Sequence, residues 1–196
     1  MTIAARWEVV RARVGVACER AGRDPGAVTI VAVSKTHPAS AVREAAAAGA
    51  TDFGENYAQE LAGKRADAGA VRWHFIGRLQ RNKAKLVAGQ VALVHAVDSL
   101  ELGEELAKRA QSQHQGPTVL QPVLISVNVA GEETKGGITS VSAPALAEAL
   151  SAVPGLRVDG LMTMPPPSDD PETSRPAFVA LRSLRDDIEQ RLGRAL

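Results

Sequence analysis

Val28-Thr29-Ile30-Val31-Ala32-Val33-Ser34-Lys35-Thr36-His37-Pro38 is the stretch from which the rest of the chain is read. Its first six residues are apolar or β-branched almost without a break. That composition suits a strand covered on both faces, as strands of parallel sheets are by their crossover helices. Pro38 then opens an Ala-rich helix expected over residues 40–48 and closed by Gly49. Strand, exit loop and helix follow one another as the first βα unit.

Working outward, Ile3, Trp7, Val10, Val14 and Cys18 recur at helical spacing, and Gly22 with Asp24-Pro25 ends that leading helix. Beyond the first unit the alternation repeats. Strands are expected at 51–54, 73–77, 91–97, 123–129 and 156–164, the last stopped by Pro165-Pro166-Pro167. Between them lie a polar helix through Glu60 and Lys64, a basic helix over 82–88, a helix beginning near Leu100 and another begun by Pro144. Asp98 is the expected cap of the helix at Leu100. A final helix carries Phe178, Leu181, Leu184, Ile188 and Leu192 at spacings of three and four. Six βα units after one leading helix mean an α/β fold with a parallel sheet. No Gly-x-Gly-x-x-Gly follows the first strand, which argues against a dinucleotide-binding fold. Short strands without a topological break favour a (β/α) TIM-type barrel, with about six of the eight βα units present.

The chain has 196 residues, 45% of them apolar and 3% aromatic. That suffices for one well-cored domain spanning 1–196, built mainly from Ala, Val, Leu and Ile. Charge is balanced, 23 basic against 22 acidic residues for a net +1, so neither nucleic acid nor an anionic membrane is demanded as a partner. No apolar run reaches the roughly 20 residues of a membrane helix. The charged N-terminus does not read as a secretory signal, and a cytoplasmic protein is expected. The single cysteine, Cys18, sits on the apolar face of the first helix and reads as core. His37, His74, His95 and His114 have no paired spacing, so no metal site is expected.

Candidate chemistry gathers where strands end, the rim at which parallel α/β folds bind ligands. Lys35 leaves the first strand beside apolar residues. Partial desolvation there would favour the neutral amine that attacks an aldehyde. Alternatively its stem packs on the sheet and its head reaches solvent. Asn56, in Gly54-Glu55-Asn56-Tyr57, could orient a ring hydroxyl or pyridine substituent, but local chemistry favours a cap for the helix from Ala58. Tyr57 is the only tyrosine. The basic run Arg78 to Lys85 after Gly77 could attract an anion or be a solvated face. Lys135, beside Gly136 and Gly137, could reach an anion, though a surface loop is the better reading. Met162 could pack on a flat ring or fill core space.

Together, Val31-Ala32-Val33-Ser34-Lys35-Thr36, Phe53-Gly54-Glu55-Asn56-Tyr57, Trp73-His74-Phe75-Ile76-Gly77 with Leu79-Gln80 and Asn82-Lys83, and Gly160-Leu161-Met162 resemble the YggS/PROSC family of pyridoxal phosphate homeostasis proteins. That family is similar to the barrel domain of alanine racemase without its second domain. The resemblance implies pyridoxal 5'-phosphate on Lys35 as a Schiff base, with Asn56 and Met162 as further cofactor-contact candidates. It implies cofactor buffering and delivery to apo PLP-dependent enzymes by a monomer, with no catalytic residues. Family members continue with a Ser/Gly/Met-rich strand segment and a final Arg-Ile-Gly-type strand that grip the phosphate. This chain stops at Arg194-Ala195-Leu196, so it is expected to be incomplete relative to the folded protein. The competing readings are a PLP enzyme of the racemase type and a Schiff-base aldolase.

Overall fold

The computed structural model describes residues 1–113, 120–129, 131 and 136–196. They form two compact units, Met1–His74 and Phe75–Leu196. In each unit the strand order follows the chain order.

The first unit opens with α1 (Ile3–Arg20), whose N-cap Thr2 accepts a hydrogen bond from the Ala5 N–H at 3.2 Å. Of the helical stripe expected there, only Cys18 is fully buried, and Val10 is exposed. β1 (Val31–Val33) is half the expected length. Its register explains why: Val31 pairs with Asp52, the first residue of the parallel strand β2 (Asp52–Glu55), so Val28 to Ile30 precede the β1–β2 ladder and join no other among the described residues. Pro25–Ala27 instead form a short 3-10 turn. α2 (Ala39–Ala47) starts after Pro38 and ends at Gly49, whose φ of +96° lies in the left-handed region that glycine tolerates. α3 (Ala58–Lys64) follows β2, and β3 (Arg72–Phe75) begins with the Arg72 N–H donating to the Thr51 carbonyl at 2.9 Å. Val42, Ala45, Phe53, Leu61 and Trp73 are buried, and the Phe53 and Trp73 rings lie 6.1 Å apart in a tilted pair.

In the second unit, residues 81–86 form a 3-10 helix where an α-helix over 82–88 was expected. It has no side-chain cap and no acidic residue in its first turn, while Lys83 and Lys85 place positive charge along it. Every local device that supports an α-helix N-terminus is missing. β4 (Leu93–Val97) leads to α4 (Leu100–Ser112), capped by Ser99 and not by Asp98. Ser99 has the extended backbone a cap requires, and its hydroxyl accepts the Leu102 N–H at 3.3 Å, which Asp98 is one residue too early to do. β5 (Gln121–Ser126) and β6 (Leu156–Met162) pair in parallel around α5 (Ala143–Ser151). α6 (Arg175–Leu192) buries Ile188 but leaves Phe178 exposed. Among the described residues six βα units therefore follow α1, as the alternation predicts, with a 3-10 helix in the third.

β5 and β6 fall out of register between Val123 and Leu124, leaving Asp159 as an extra residue. Gly160 follows it at φ +152°, a conformation L side chains rarely adopt. Such a bulge reverses which face the following residues present, so it sets the facing of Leu161 and Met162.

Candidate functional site

In the first unit, the ends of β1 and β2 lie side by side. The ladder pairs Val33 with Gly54, and the Ser34 N–H continues it by donating to the Gly54 carbonyl at 3.0 Å. This carries Lys35 out of the sheet next to the exit of β2. The turn is tight: the His37 N–H donates to the Ser34 carbonyl at 3.1 Å, and Thr36 takes a left-handed φ of +64°. For a β-branched residue that is an outlier, with a strain of about 1–3 kcal/mol that the surroundings must hold in place.

What holds it is a polar network from β2 and α3. Glu55 is completely buried. Its Oε1 accepts from the Ser34 hydroxyl at 2.6 Å and from the Lys64 ammonium at 2.8 Å. Lys64 Nζ also donates to the Ser34 carbonyl and to Glu60 Oε2, each at 2.8 Å, so all three of its protons are used. Glu60 Oε2 accepts in addition from the Thr36 N–H at 3.0 Å. Burial works against the Lys64 ammonium, yet the bonds to Glu55 and Glu60 prevail and raise its pKa. Lys64 above all, and then the Thr36 N–H, lower the pKa of Glu60. A buried carboxylate costs several kcal/mol unless paired, so Lys64 is indispensable to Glu55. One atom stays unmatched: Glu55 Oε2 is buried without a hydrogen-bond partner.

The opposite end of β2 carries a second buried carboxylate. Asp52 Oδ1 is 2.8 Å from His74 Nε2, and Oδ2 accepts from Arg72 at 2.8 Å and from the Thr51 hydroxyl at 2.6 Å. Burial pushes this carboxyl up, but Arg72, Thr51 and His74 together outweigh it and hold the pKa at about 2.

Lys35 is exposed, which matches the reading of a head that reaches solvent and not that of partial desolvation; the apolar strand ends at Val33, before this residue. Asn56 is half-buried at the end of β2, two residues beyond Gly54. It does not cap α3: the cap position is Tyr57, with no side-chain cap bond. Tyr57 itself is exposed. Met162 belongs to the second unit, where it ends β6 opposite Ser126, half-buried, its carbonyl accepting the Val127 N–H at 2.8 Å. Arg78 is exposed, 4.0 Å from Asp98. Lys135 and His114 lie outside the described residues. The unit thus brings Lys35 and Asn56 to adjoining strand ends. Glu55 and Thr36 enter the sequence reading only as members of the quoted motifs, and Glu60 and Lys64 only as helix residues; none of the four has a function there. Only the Glu60–Lys64 spacing of four on one helix offered a signal.

An exposed primary amine at a strand end, anchored through both neighbouring residues, fits the aldehyde of pyridoxal phosphate. Asn56, released from capping, retains the donors and acceptor that a substituted pyridine ring requires. No described helix is long and apolar enough to cross a membrane.

Comparison with known proteins gives a consistent neighbourhood. Residues 8–195 match the family model for the alanine racemase N-terminal domain. The pyridoxal phosphate homeostasis protein of Pseudomonas aeruginosa is 45% identical over 191 residues, covering 95% of this chain and 80% of that protein. Among solved structures, an unknown protein from Bifidobacterium adolescentis superposes with a TM-score of 0.88 at 31% identity, over 98% of this chain and 81% of its own. PipY of Synechococcus elongatus PCC7942, solved with PLP bound, superposes with a TM-score of 0.77 at 30% identity, over 97% and 83%.

Proposed function

This chain belongs to the family of pyridoxal phosphate homeostasis proteins, built on the alanine racemase N-terminal domain, and from that premise we propose that it binds pyridoxal 5'-phosphate reversibly through Lys35 and acts as a cofactor reservoir rather than an enzyme. The observation that carries this reading is the placement of Lys35: an exposed amine at the end of β1, on a strained turn whose residues on both sides are tied down. Bound pyridoxal phosphate supplies an electrophilic aldehyde. Lys35 provides the nitrogen that joins the aldehyde carbon with loss of water, and hydrolysis of the same link returns the free amine. Reversibility is what a reservoir needs.

Asn56 is assigned to the ring substituents of the cofactor, since it sits at the neighbouring strand end and does not serve α3 as a cap. Met162 enters the proposal on the family pattern Gly160-Leu161-Met162. The same reading makes the protein a cytoplasmic monomer that hands cofactor to apo PLP-dependent enzymes.

Titration with pyridoxal phosphate, followed by absorbance, tests the assignment. The expected result is a saturable band from the wild type and none from Lys35→Ala. An unchanged band in Lys35→Ala overturns it.

A further inference from the structure

We propose that Lys64 and Glu60 on α3, together with buried Glu55, are positioning residues that hold the Lys35 turn in its cofactor-binding conformation. The inference rests on the reading of Lys35 as the cofactor anchor.

The geometry is specific to the two residues that flank Lys35. Ser34 is fixed by its hydroxyl to Glu55 Oε1 and by its carbonyl to Lys64 Nζ. Thr36 is fixed by its N–H to Glu60 Oε2. Lys64 joins the two halves, since it binds both carboxylates and the Ser34 carbonyl. The clamp therefore closes around Lys35 without using its side chain. Thr36 supplies the reason a clamp is required. At φ +64° a threonine is strained, and without a partner for its N–H it would relax to negative φ and swing Lys35 with it. A displacement of about 1 Å at a reacting group is enough to weaken its chemistry severely. Helix α3 is thereby the support of the anchor, although none of its residues need touch the cofactor.

Three variants test this in the full chain. Lys64→Met removes every bond of the clamp's centre and is expected to weaken pyridoxal phosphate binding about tenfold. Glu60→Ala removes the Thr36 acceptor and one of the three Lys64 bonds but leaves the Lys64–Glu55 pair and the Lys64–Ser34 bond intact, so it keeps the fold and is expected to weaken binding about threefold. The discriminating variant is Lys64→Met combined with Thr36→Gly. Glycine adopts positive φ without strain, so it no longer drives the turn away from its bound form. Partial recovery of affinity in the double variant is expected, and a purely structural role of Lys64 would give none. In the apoprotein, hydrogen exchange of the residue-36 amide should accelerate in Glu60→Ala. Wild-type affinity in a folded Glu60→Ala, or no recovery in the double variant, overturns the proposal. If the wild type forms no adduct on Lys35, the functional reading fails instead, and the exchange measurement still reports whether the clamp holds the turn.

Discussion

The two ends of β2 each bury a carboxylate, and the two are satisfied differently. At the N-terminal end, both oxygens of Asp52 are occupied, by His74 on one side and by Arg72 and Thr51 on the other. At the C-terminal end, Glu55 fills one oxygen with Ser34 and Lys64 and leaves the other without a partner. Asp52 ties strand to strand. Glu55 ties a strand to a helix and, through Ser34, to the turn that carries Lys35. In barrel-type folds the N-terminal face of the strands serves stability and the C-terminal face serves binding. The contrast along four residues of β2 follows that division: the closed network reads as structural, and the open one as the support of a site.

Substitutions at the two ends should therefore separate stability from binding. Asp52→Ala leaves His74 and Arg72 without their carboxylate and is expected to destabilise the fold by about 3 kcal/mol, measured by urea unfolding. Pyridoxal phosphate affinity of the folded fraction should stay near the wild-type value. Glu55→Gln keeps an acceptor but removes the charge opposite Lys64; a stability loss of about 2 kcal/mol is expected, this time with weakened binding. Equal effects of the two substitutions on binding would dissolve the comparison.

The pH dependence sharpens it further. The folded-state pKa of Asp52, about 2, lies below its ordinary 3.8. Its contribution to stability is therefore complete above about pH 4 and lost as pH falls toward 2. An acid unfolding curve of Asp52→Asn should be flatter than wild type across that window and parallel above it. The smallest effect belongs to Thr36→Gly. Relief of the left-handed strain and the added freedom of the unfolded chain nearly cancel, so a net change within about 1 kcal/mol is expected by thermal unfolding.

Much of the architecture was legible because it is local. The run ending at Val33 announces a covered strand, Pro38 and Gly49 bracket α2, and the six repeats follow from the same alternation. The misreadings share one cause, that pairing partners decide what composition leaves open. Val28 to Ile30 have strand residues but no neighbour in register, and the basic run after Gly77 has helix-like composition but no cap. Lys35 was visible because it lies two residues past a strand, within the run Val31-Ala32-Val33-Ser34-Lys35-Thr36 that carries the family resemblance; position alone left its role open. The clamp around it was not. Thr36 and Glu60 are 24 residues apart and Ser34 and Glu55 are 21 apart, and only the β1–β2 register brings them together.

The central claim is that Lys35 carries the cofactor. Borohydride reduction of the protein mixed with pyridoxal phosphate, followed by proteolysis and mass spectrometry, locates the attachment directly. The account predicts one dominant modified peptide with the added mass on Lys35. Modification concentrated on another lysine, with Lys35 unmodified, would contradict it.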